Sequence, residues 1–454
     1  MTGPTTPSWT QRSRLLRLVE DAAAGLYRPQ HTIAALRVRG ALNLSALNLA
    51  WLRLQRRHPI LLTSFDPHKP LWRLDPTDPV DLVRLPLPPP ADARQALVRE
   101  AERPFDIERG PLARLVAIPL PDAAETLLGL VVDHLVSDAW SRRILLGDLC
   151  RLYDLEIGAS TGDLPPAAAA YAGWVERQND YLESTAGLNL RRKLTRHVLL
   201  PDRGPADRGP TDGGTAERRP VGRGIADQGL AGQTDVPRIE RQFDVDSYER
   251  LLPAAKRFRL TRLQLVLAAL DAASAELGDH FPAATIMAVA GRPRPELHGS
   301  VGWFADQVAV VNRGRHASPE EQVRSFREAV VTALDSARVP WALVVADTVP
   351  EWFTHSMSLP YISFNAQPLR MGPGLRPAAF AGTEIEEFPV HLGRPDGALL
   401  TYWSEDDGGG LRVALRYKPE RYSEADVLAL WESTIANLDR FAESAGRTVG
   451  SADG

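Results

Sequence analysis

Residues 133–141, DHLVSDAWS, lie at the junction of a predicted strand and a predicted helix and give the clearest indication of the fold. Residues 126–134 (TLLGLVVDH) form a short, nearly continuous apolar run. Such a run is typical of a central strand that is buried on both faces of a sheet. Because neighbouring side chains at a strand's end point to opposite faces, His134 can face a cavity while Asp133 faces the packing behind it.

The segment that follows, residues 137–154 (SDAWSRRILLGDLCRLYD), has the spacing of an amphipathic helix. Its bulky apolar side chains fall near one stripe, and either Ser137 or Asp138 can serve as the N-cap. Cys150, on this helix, is interpreted as a core residue. The stretch therefore predicts a strand, a tight turn and a capped helix.

The same alternation of strands and helices extends in both directions along the chain. Helices are predicted over residues 43–58, with Ser45 as N-cap, and over residues 261–277 and 423–442. Strands are predicted over residues 32–40, 284–290 and 301–311, and ALLTYWS and LRVALRY flank EDDGGG as a hairpin. The pattern predicts an α/β protein with two lobes.

One segment, residues 201–236, has the composition of a loop. It has no aromatic residue, and eight glycines and four prolines stand among its 36 positions. Such a composition buries too little apolar surface to offset the entropy of ordering the chain. We expect a disordered Gly/Pro-rich loop that tolerates insertion, and a regulatory or docking segment is the alternative.

The composition excludes several classes of protein. The chain has 454 residues, 44% of them hydrophobic and 24% charged, and a formal net charge of -4, which is typical of a globular protein without a nucleic-acid partner. No run approaches the ~18–20 apolar residues of a membrane helix. The start MTGPTTPSWTQRSRLL has no apolar signal core, and a single cysteine cannot form an intrachain disulfide. We expect a cytoplasmic protein with no membrane partner.

Few residues could carry catalysis, and His134 is the main candidate. The sequence lacks HExxH, and one cysteine cannot build a zinc or iron–sulfur site, so no metal is expected. It also lacks the phosphate-loop motif GxxxxGK[ST], the hydrolase motif GxSxG and a dinucleotide motif GxGxxG between strand and helix. The spacing HxxxD, from His134 to Asp138, is a weak signal by itself. A lone histidine at a strand end is more often structural, so the spacing alone leaves both interpretations open.

The surroundings of His134 resemble the HHxxxDG motif of the condensation domains of nonribosomal peptide synthetases, which belong to the HxxxD acyltransferase superfamily. The segments that are similar to blocks of that family, in the same order, are RHPILLTSF (57–65), RPFDIERGPLARL (103–115), HLVSDAWSRRILLGDLCRLY (134–153), GRPRPELHGSVGWFADQVAVV (291–311), YISFNAQ (361–367) and LRVALRYKPERYSEADVLALW (411–431). The resemblance covers most of residues 32–442 outside the loop.

This resemblance implies two chloramphenicol-acetyltransferase-like lobes that form a V-shaped pseudo-dimer with a central tunnel. Residues 1–175 are expected to form the N-terminal acyltransferase-like lobe, with the HxxxD motif, and residues 176–454 the C-terminal acyltransferase-like lobe. In the family, donor and acceptor substrates meet at the motif histidine. They are normally thioesters on the phosphopantetheine arms of carrier proteins.

The resemblance also assigns residues to the site. His134 matches the functional histidine, and Asp138 and Arg292 match a buried ion pair that fixes the active-site loop. The residues of the motif and its surroundings are Asp133, Ala139, Trp140 and Ser141. The candidate tunnel-lining residues are Trp303, which could equally be a core residue, Asp306, Asn365 and Gln367. An imidazole can hydrogen-bond an attacking amine or accept its proton at near-neutral pH.

Four features depart from the family pattern. Asp133 replaces the first motif histidine, and its charge favours a protonated His134 unless Asp133 is paired. Ala139 replaces the motif glycine and adds a methyl group where the backbone approaches substrate. Asp306 stands where the family usually has asparagine, and the opening SWTQRSRLL lacks the usual N-terminal glutamine motif. Unusual substrates or lost catalysis could each explain these changes.

Three functions are compatible with these residues. The favoured one is a free-standing, monomeric condensation enzyme of antibiotic-type specialised metabolism, which joins an acyl or aminoacyl thioester on a carrier protein to a small or carrier-bound amine. It binds no cofactor of its own, and the carrier protein comes in trans, because the chain leaves no room for adenylation or carrier domains. The alternatives are a catalytically silent condensation-fold recruitment module, and a relative that uses coenzyme A or forms an ester.

Overall fold

The structure is a computed structural model that describes most of the chain. The described residues are 5–25, 29–73, 76–86, 90–120, 124–162, 164–167, 171–197, 237–282, 284–312, 318–348, 361–367, 379–388, 390, 399–405 and 409–447. The predicted loop at residues 201–236 lies outside them, and so do residues 406–408 of the predicted hairpin turn.

Helices and strands alternate through the described ranges. The helices are α1 (Trp9–Ala23), α2 (Leu44–Arg57), α3 (Pro90–Glu102), α4 (Ala139–Glu156), α5 (Tyr171–Glu183), α6 (Thr185–His197), α7 (Val245–Glu249), α8 (Leu252–Phe258), α9 (Arg262–Glu276), α10 (Pro319–Ser336), α11 (Trp341–Thr348) and α12 (Glu424–Arg447). The strands are β1 (His31–Arg39), β2 (Ser64–Asp66), β3 (Leu71–Arg73), β4 (Val83–Arg84), β5 (Ala113–Pro119), β6 (Glu125–Asp133), β7 (Arg238–Phe243), β8 (Thr285–Val289), β9 (Asp306–Val310), β10 (Ile362–Gln367), β11 (Glu384–Glu387), β12 (Leu399–Glu405) and β13 (Leu411–Tyr417).

The described residues form two large sheets and the two-stranded sheet β2-β3, and together with the helices these sheets confirm the predicted α/β class. The strands of the first sheet lie in the order β11-β1-β6-β5-β4, and those of the second in the order β7-β13-β12-β10-β8-β9. β11 comes from late in the chain, yet it pairs with β1, with Leu36 opposite Glu387. The first sheet therefore contains residues from both predicted lobes, and the division after residue 175 stays a prediction.

β6 is the strand on which the candidate site is built. It lies between β1 and β5, antiparallel to both, and every residue after its first is buried. Leu128, Leu130 and Val132 pack in one core with α2 and α4, while Leu127 and Val131 pack with α3 on the other face. Because both faces are covered, the register of β6 is fixed, and so is the point at which the strand delivers the DHLVSDAWS stretch.

The second sheet is covered by α9, α10 and α12. α9 is apolar on nearly every side, as is typical of a helix inside a large core. The predicted hairpin is present as β12 and β13, which pair antiparallel. Within the described ranges no single helix has the length and apolar composition to cross a membrane, and one bent pair, α10 with α11, reaches that composition only together.

Two predictions of local structure were wrong. The N-cap of α2 is Asn43 and not Ser45, because the Asn43 side chain accepts hydrogen bonds from the main-chain N–H groups of the first turn. The strand predicted over residues 301–311 is limited to β9. Residues 302, 304 and 305 donate their main-chain N–H groups to side chains of α4 and its N-cap, and not to a neighbouring strand.

Candidate active site

His134 lies directly after β6, at the start of a 3₁₀ turn over His134–Val136. Its main-chain N–H donates to the carbonyl oxygen of Gln30 at 2.9 Å. The imidazole is half-buried and lies against the indole of Trp303, with the ring centroids 4.2 Å apart. The strand end thus presents this ring toward Trp303, which lies 169 positions further along the chain.

The imidazole of His134 is suited to act as a base. Burial lowers the pKa of His134 below its usual value, against an opposing effect of Asp138, so the ring is neutral near pH 7. Nδ1 is enclosed near the residue's own main chain and has no other hydrogen-bond partner within the described part of the protein. The other nitrogen, Nε2, is therefore the one through which His134 can accept a proton.

Asp138 and Arg292 form a two-pronged ion pair. Arg292 Nη1 lies 2.8 Å from Asp138 Oδ2, and Nη2 lies 3.0 Å from Oδ1. Both side chains are 1% exposed. Burial alone would raise the pKa of Asp138, but the charge and hydrogen bonds of Arg292 and the bonds from Ser141 outweigh burial and hold the pKa below its usual range.

Three main-chain N–H groups complete the shell around the Asp138 carboxylate. Ser141 donates to Oδ1 at 2.7 Å, as expected for an N-cap, and Phe304 and Ala305 donate to Oδ2 at 3.0 and 3.1 Å. Gly291 precedes Arg292 with φ +64°, and a Cβ there would lie 1.7 Å from the carbonyl oxygen of Phe304. The glycine therefore permits the close approach that seats the arginine.

The remaining motif residues join α4 to the same segment. Ser141 Oγ donates to the carbonyl oxygen of Gly302 at 2.8 Å and accepts from Arg292 Nη2 at 2.9 Å. Trp140 Nε1 donates to the carbonyl oxygen of His298 at 2.9 Å. Ala139 opens α4 in an ordinary helical conformation and is half-buried. The start of α4 is thus fastened at several points to residues 292–305.

The candidate tunnel-lining residues are only partly brought together. Trp303 is 8% exposed and contacts His134, so it belongs both to the core and to the site. Asp306 caps the start of α11, because its Oδ1 accepts from the N–H of Trp341 at 3.2 Å, and burial raises its pKa to about 7. Asn365 is half-buried on β10, away from the hydrogen bonds described above, and Gln367 ends that strand, with a side chain outside the described part.

No motif in the sequence indicated which residues surround Asp133. Arg14 Nη2 lies 3.1 Å from Asp133 Oδ2, and His31 Nε2 lies 3.6 Å from the same oxygen. Gln11 Nε2 donates to the carbonyl oxygen of Leu135 at 2.7 Å. One local signal was present, because Ser8 and Gln11 have the spacing of a capping box. Both side chains form the capping hydrogen bonds, and this box marks the start of α1.

No group of three or more metal-ligating side chains occurs in the described ranges. The chemistry available here is that of an imidazole beside a buried, fully paired carboxylate. Such a site can hydrogen-bond or deprotonate a nucleophile.

Comparison with known proteins finds condensation domains. Residues 29–201 match the family model of the condensation domain. Phosphinothricin tripeptide synthetase PhsB of Streptomyces viridochromogenes is 31% identical over 328 residues, which cover 70% of this chain and 26% of that protein. The chain thus spans about a quarter of the length of this relative.

Solved structures agree in fold. The X-domain from teicoplanin biosynthesis superposes with a TM-score of 0.78 at 20% identity, covering 98% of this chain and 97% of that one. The same X-domain has been solved in a complex with OxyB. The first condensation domain of the calcium-dependent antibiotic synthetase, in complex with a substrate analogue, gives a TM-score of 0.73 at 17% identity, covering 98% and 97%.

The resemblance to the condensation domains of nonribosomal peptide synthetases that is seen in the sequence is confirmed by the family model over residues 29–201 and by the relative that matches 328 residues. The fold of this chain is the condensation-domain fold.

Proposed function

We propose that this protein is a condensation enzyme in which His134 assists the attack of an amine on an acyl thioester held by a carrier protein. The observation that supports the proposal best is the state of the His134 ring. It is half-buried, burial lowers its pKa, and Nδ1 is buried without a hydrogen-bond partner among the described residues, so Nε2 is the nitrogen that a substrate can approach.

The proposed reaction is an acyl transfer. The amine nitrogen bonds to the thioester carbonyl carbon and gives up a proton to Nε2 of His134. When the tetrahedral intermediate collapses, the C–S bond breaks, an amide remains, and the departing sulfur takes the proton from the imidazolium. General-base assistance contributes ~10²–10⁴-fold, whereas alignment of two bound reactants contributes ~7–11 kcal/mol, so placement of the substrates is the larger effect.

In this proposal Asp138 and Arg292 do not contact substrate. The Asp138 carboxylate is bound by Arg292 and by the main-chain N–H groups of residues 141, 304 and 305, and Arg292 also donates to Ser141 Oγ. They hold α4 against the segment that carries Trp303, and Trp303 in turn supports one side of the His134 ring. The pair therefore sets the geometry in which His134 works.

The substrates are assigned by class. We propose that a carrier protein presents the acyl or aminoacyl donor on its phosphopantetheine arm, and that the amine reaches His134 from the opposite end of a tunnel between the two lobes. Asn365, Gln367 and Asp306 are proposed to line that tunnel. The protein is proposed to act as a free-standing monomer, with its carrier protein supplied in trans.

A second candidate is recruitment of a partner protein without catalysis. It is favoured by the fold shared with an X-domain that has been solved in complex with OxyB, and by the changes at Asp133 and Ala139. The contacts of Asp133 weaken this second reading. The carboxylate is paired with Arg14, and its effect on the pKa of His134 is opposed by that of the arginine. The enzyme proposal therefore stands first.

The test is intact-protein mass spectrometry of acyl-loaded carrier proteins, incubated with this protein and candidate amines. We expect the wild type to discharge at least one carrier with formation of the amide. His134→Ala should abolish or greatly slow this discharge while the fold is retained, and His68→Ala, which removes an exposed histidine, should have no effect.

Two outcomes contradict the proposal. Nearly full turnover by His134→Ala would assign this residue to structure. No turnover with any donor, together with equal retention of a partner protein by the wild type and His134→Ala, would establish recruitment instead.

A further inference from the structure

We infer that Arg14 and Asp133 form a buried ion pair that takes the place of the first motif histidine and positions the turn carrying His134. The pair joins α1 to the end of β6, two elements that are far apart in sequence. Neither residue touches the reacting atoms in the proposed mechanism, so both are positioning residues.

The geometry of the pair is specific. The Asp133 side chain is 1% exposed and that of Arg14 is 4% exposed. Asp133 Oδ2 accepts from Arg14 Nη2 at 3.1 Å, and Oδ1 accepts from the main-chain N–H of Leu135 at 2.8 Å. The carboxylate therefore holds the 3₁₀ turn on one side and is itself held by α1 on the other.

α1 also holds the turn directly. Gln11 and Arg14 are three positions apart and lie on the same face of α1. Gln11 Nε2 donates to the carbonyl oxygen of Leu135 at 2.7 Å, and Asp133 accepts from the N–H of that residue. Both main-chain groups of Leu135 are thus fixed, and because Leu135 follows His134 directly, the backbone that carries the imidazole has little freedom.

Arg14 supplies the charge compensation near neutral pH. His31 Nδ1 donates to the carbonyl oxygen of Ala101 at 2.7 Å, and its Nε2 lies 3.6 Å from the Asp133 carboxylate. Burial lowers the pKa of His31, against the opposing effect of Asp133, so the ring is neutral at pH 7 and does not offset the negative charge. Loss of Arg14 would leave that charge uncompensated in a buried site.

The pair also balances the electrostatic environment of His134. Arg14 lowers the pKa of His134 and Asp133 raises it, and the other charged group that acts on the ring, Asp138, is paired with Arg292. An aspartate at this position is thus compatible with a neutral imidazole. The catalytic consequence, a correctly placed base, rests on the proposed function.

The inference is tested with Arg14→Met, Asp133→Asn, the double variant and the conservative variant Arg14→Lys. Arg12→Met is the matched control, since Arg12 lies on the same helix and donates to Pro7 instead of the turn. Thermal melting is measured for all of them. The pKa of His134 is measured by NMR of histidine-labelled protein, with the resonance identified by its loss in His134→Ala.

We expect each single charge removal to lower the melting temperature, and the double variant to lose clearly less than the sum of the two. Asp133→Asn should lower the pKa of His134 measurably, because Arg14 then acts unopposed. The double variant should restore that pKa. Arg14→Lys should leave the pKa of His134 unchanged. It should also have a higher kcat than Arg14→Met, at a similar KM.

Additive melting losses, or a His134 pKa that does not respond to Asp133→Asn, would overturn the inference. Neither measurement requires turnover. If the wild type proves inactive with every donor, the proposed function fails, while melting and titration still decide whether the ion pair exists and acts on His134.

Discussion

Replacement of Asp138 by asparagine should destabilise the protein severely, because the carboxylate is surrounded by donors only. Oδ2 accepts from Arg292 Nη1 and from the main-chain N–H groups of Phe304 and Ala305, at 2.8, 3.0 and 3.1 Å. In Asp138→Asn the amide oxygen can keep the bonds that Oδ1 makes with Ser141 and Arg292 Nη2. The amide –NH₂ group then takes the place of Oδ2 and faces these three donors. The variant breaks the charge pairing and leaves main-chain groups without an acceptor.

The magnitude follows from these contacts. Breaking a buried ion pair by removal of one partner costs ~3–5 kcal/mol, and each main-chain N–H left unsatisfied adds ~1–3 kcal/mol. A loss of at least ~4 kcal/mol is therefore expected. With an unfolding entropy of ~2.1 cal/mol/K per residue, this corresponds to a fall of roughly 4 °C or more in melting temperature for a cooperatively unfolding chain of this length.

The assay compares urea midpoints and melting temperatures of the wild type, Asp138→Asn and a surface control. Glu296→Gln is that control, because it removes an exposed pair in which Arg294 and Glu296 are 65% and 63% exposed and 3.9 Å apart. Such a pair contributes ~0–1 kcal/mol. If Asp138→Asn melts like the wild type and yet cannot transfer an acyl group, the residue acts in the chemistry and the architectural reasoning is wrong.

Three further predictions concern charge and donor. Asp306→Asn should stabilise the protein more at pH 8 than at pH 5, as measured by urea midpoints. Burial raises the pKa of Asp306 to about 7 from 3.8, so the wild type loses stability as pH rises through this window. An equal gain at both pH values would show that the titration of Asp306 is not the cause. The acid limb of kcat/KM should lie below the usual histidine pKa of ~6.5, because burial lowers the pKa of His134, and a limb above that value would argue against His134 as the base. The kcat/KM for a carrier-bound thioester should exceed that for the same acyl group on coenzyme A by at least about tenfold, which equals ~1.4 kcal/mol of transition-state stabilisation. Equal values would assign the protein to the small-molecule acyltransferases.

The charge at Asp133 bears on the choice between enzyme and recruitment module. An unpaired carboxylate beside His134 would favour the protonated imidazole, which cannot serve as a base. In the structure that carboxylate is bound by Arg14 and by the Leu135 amide. Its presence is therefore compatible with acyl transfer, and it does not by itself indicate loss of catalysis.

The sequence alone determined the strand, turn and helix around His134 because these depend on local patterns. An apolar run with few polar positions predicts a strand covered on both faces, and Asp138 is the residue type and position of an N-cap. The structure contains β6, the 3₁₀ turn and α4 at those places, within one or two residues. The pairing of Asp138 with Arg292 was implied by the family resemblance and not by any local pattern, and the structure contains this pair.

The surroundings of the site depend on tertiary packing, because the partners come from segments that are distant in sequence. Nothing local to Arg14 or His31 indicates that they meet Asp133, and this contact depends on how α1 and β1 pack at the end of β6. The strand predicted over residues 301–311 was too long for a similar reason. Its apolar pattern suits a strand, but the main-chain N–H groups of residues 304 and 305 donate instead to the carboxylate of Asp138, which is distant in sequence. The local sequence contains no sign of this competing partner.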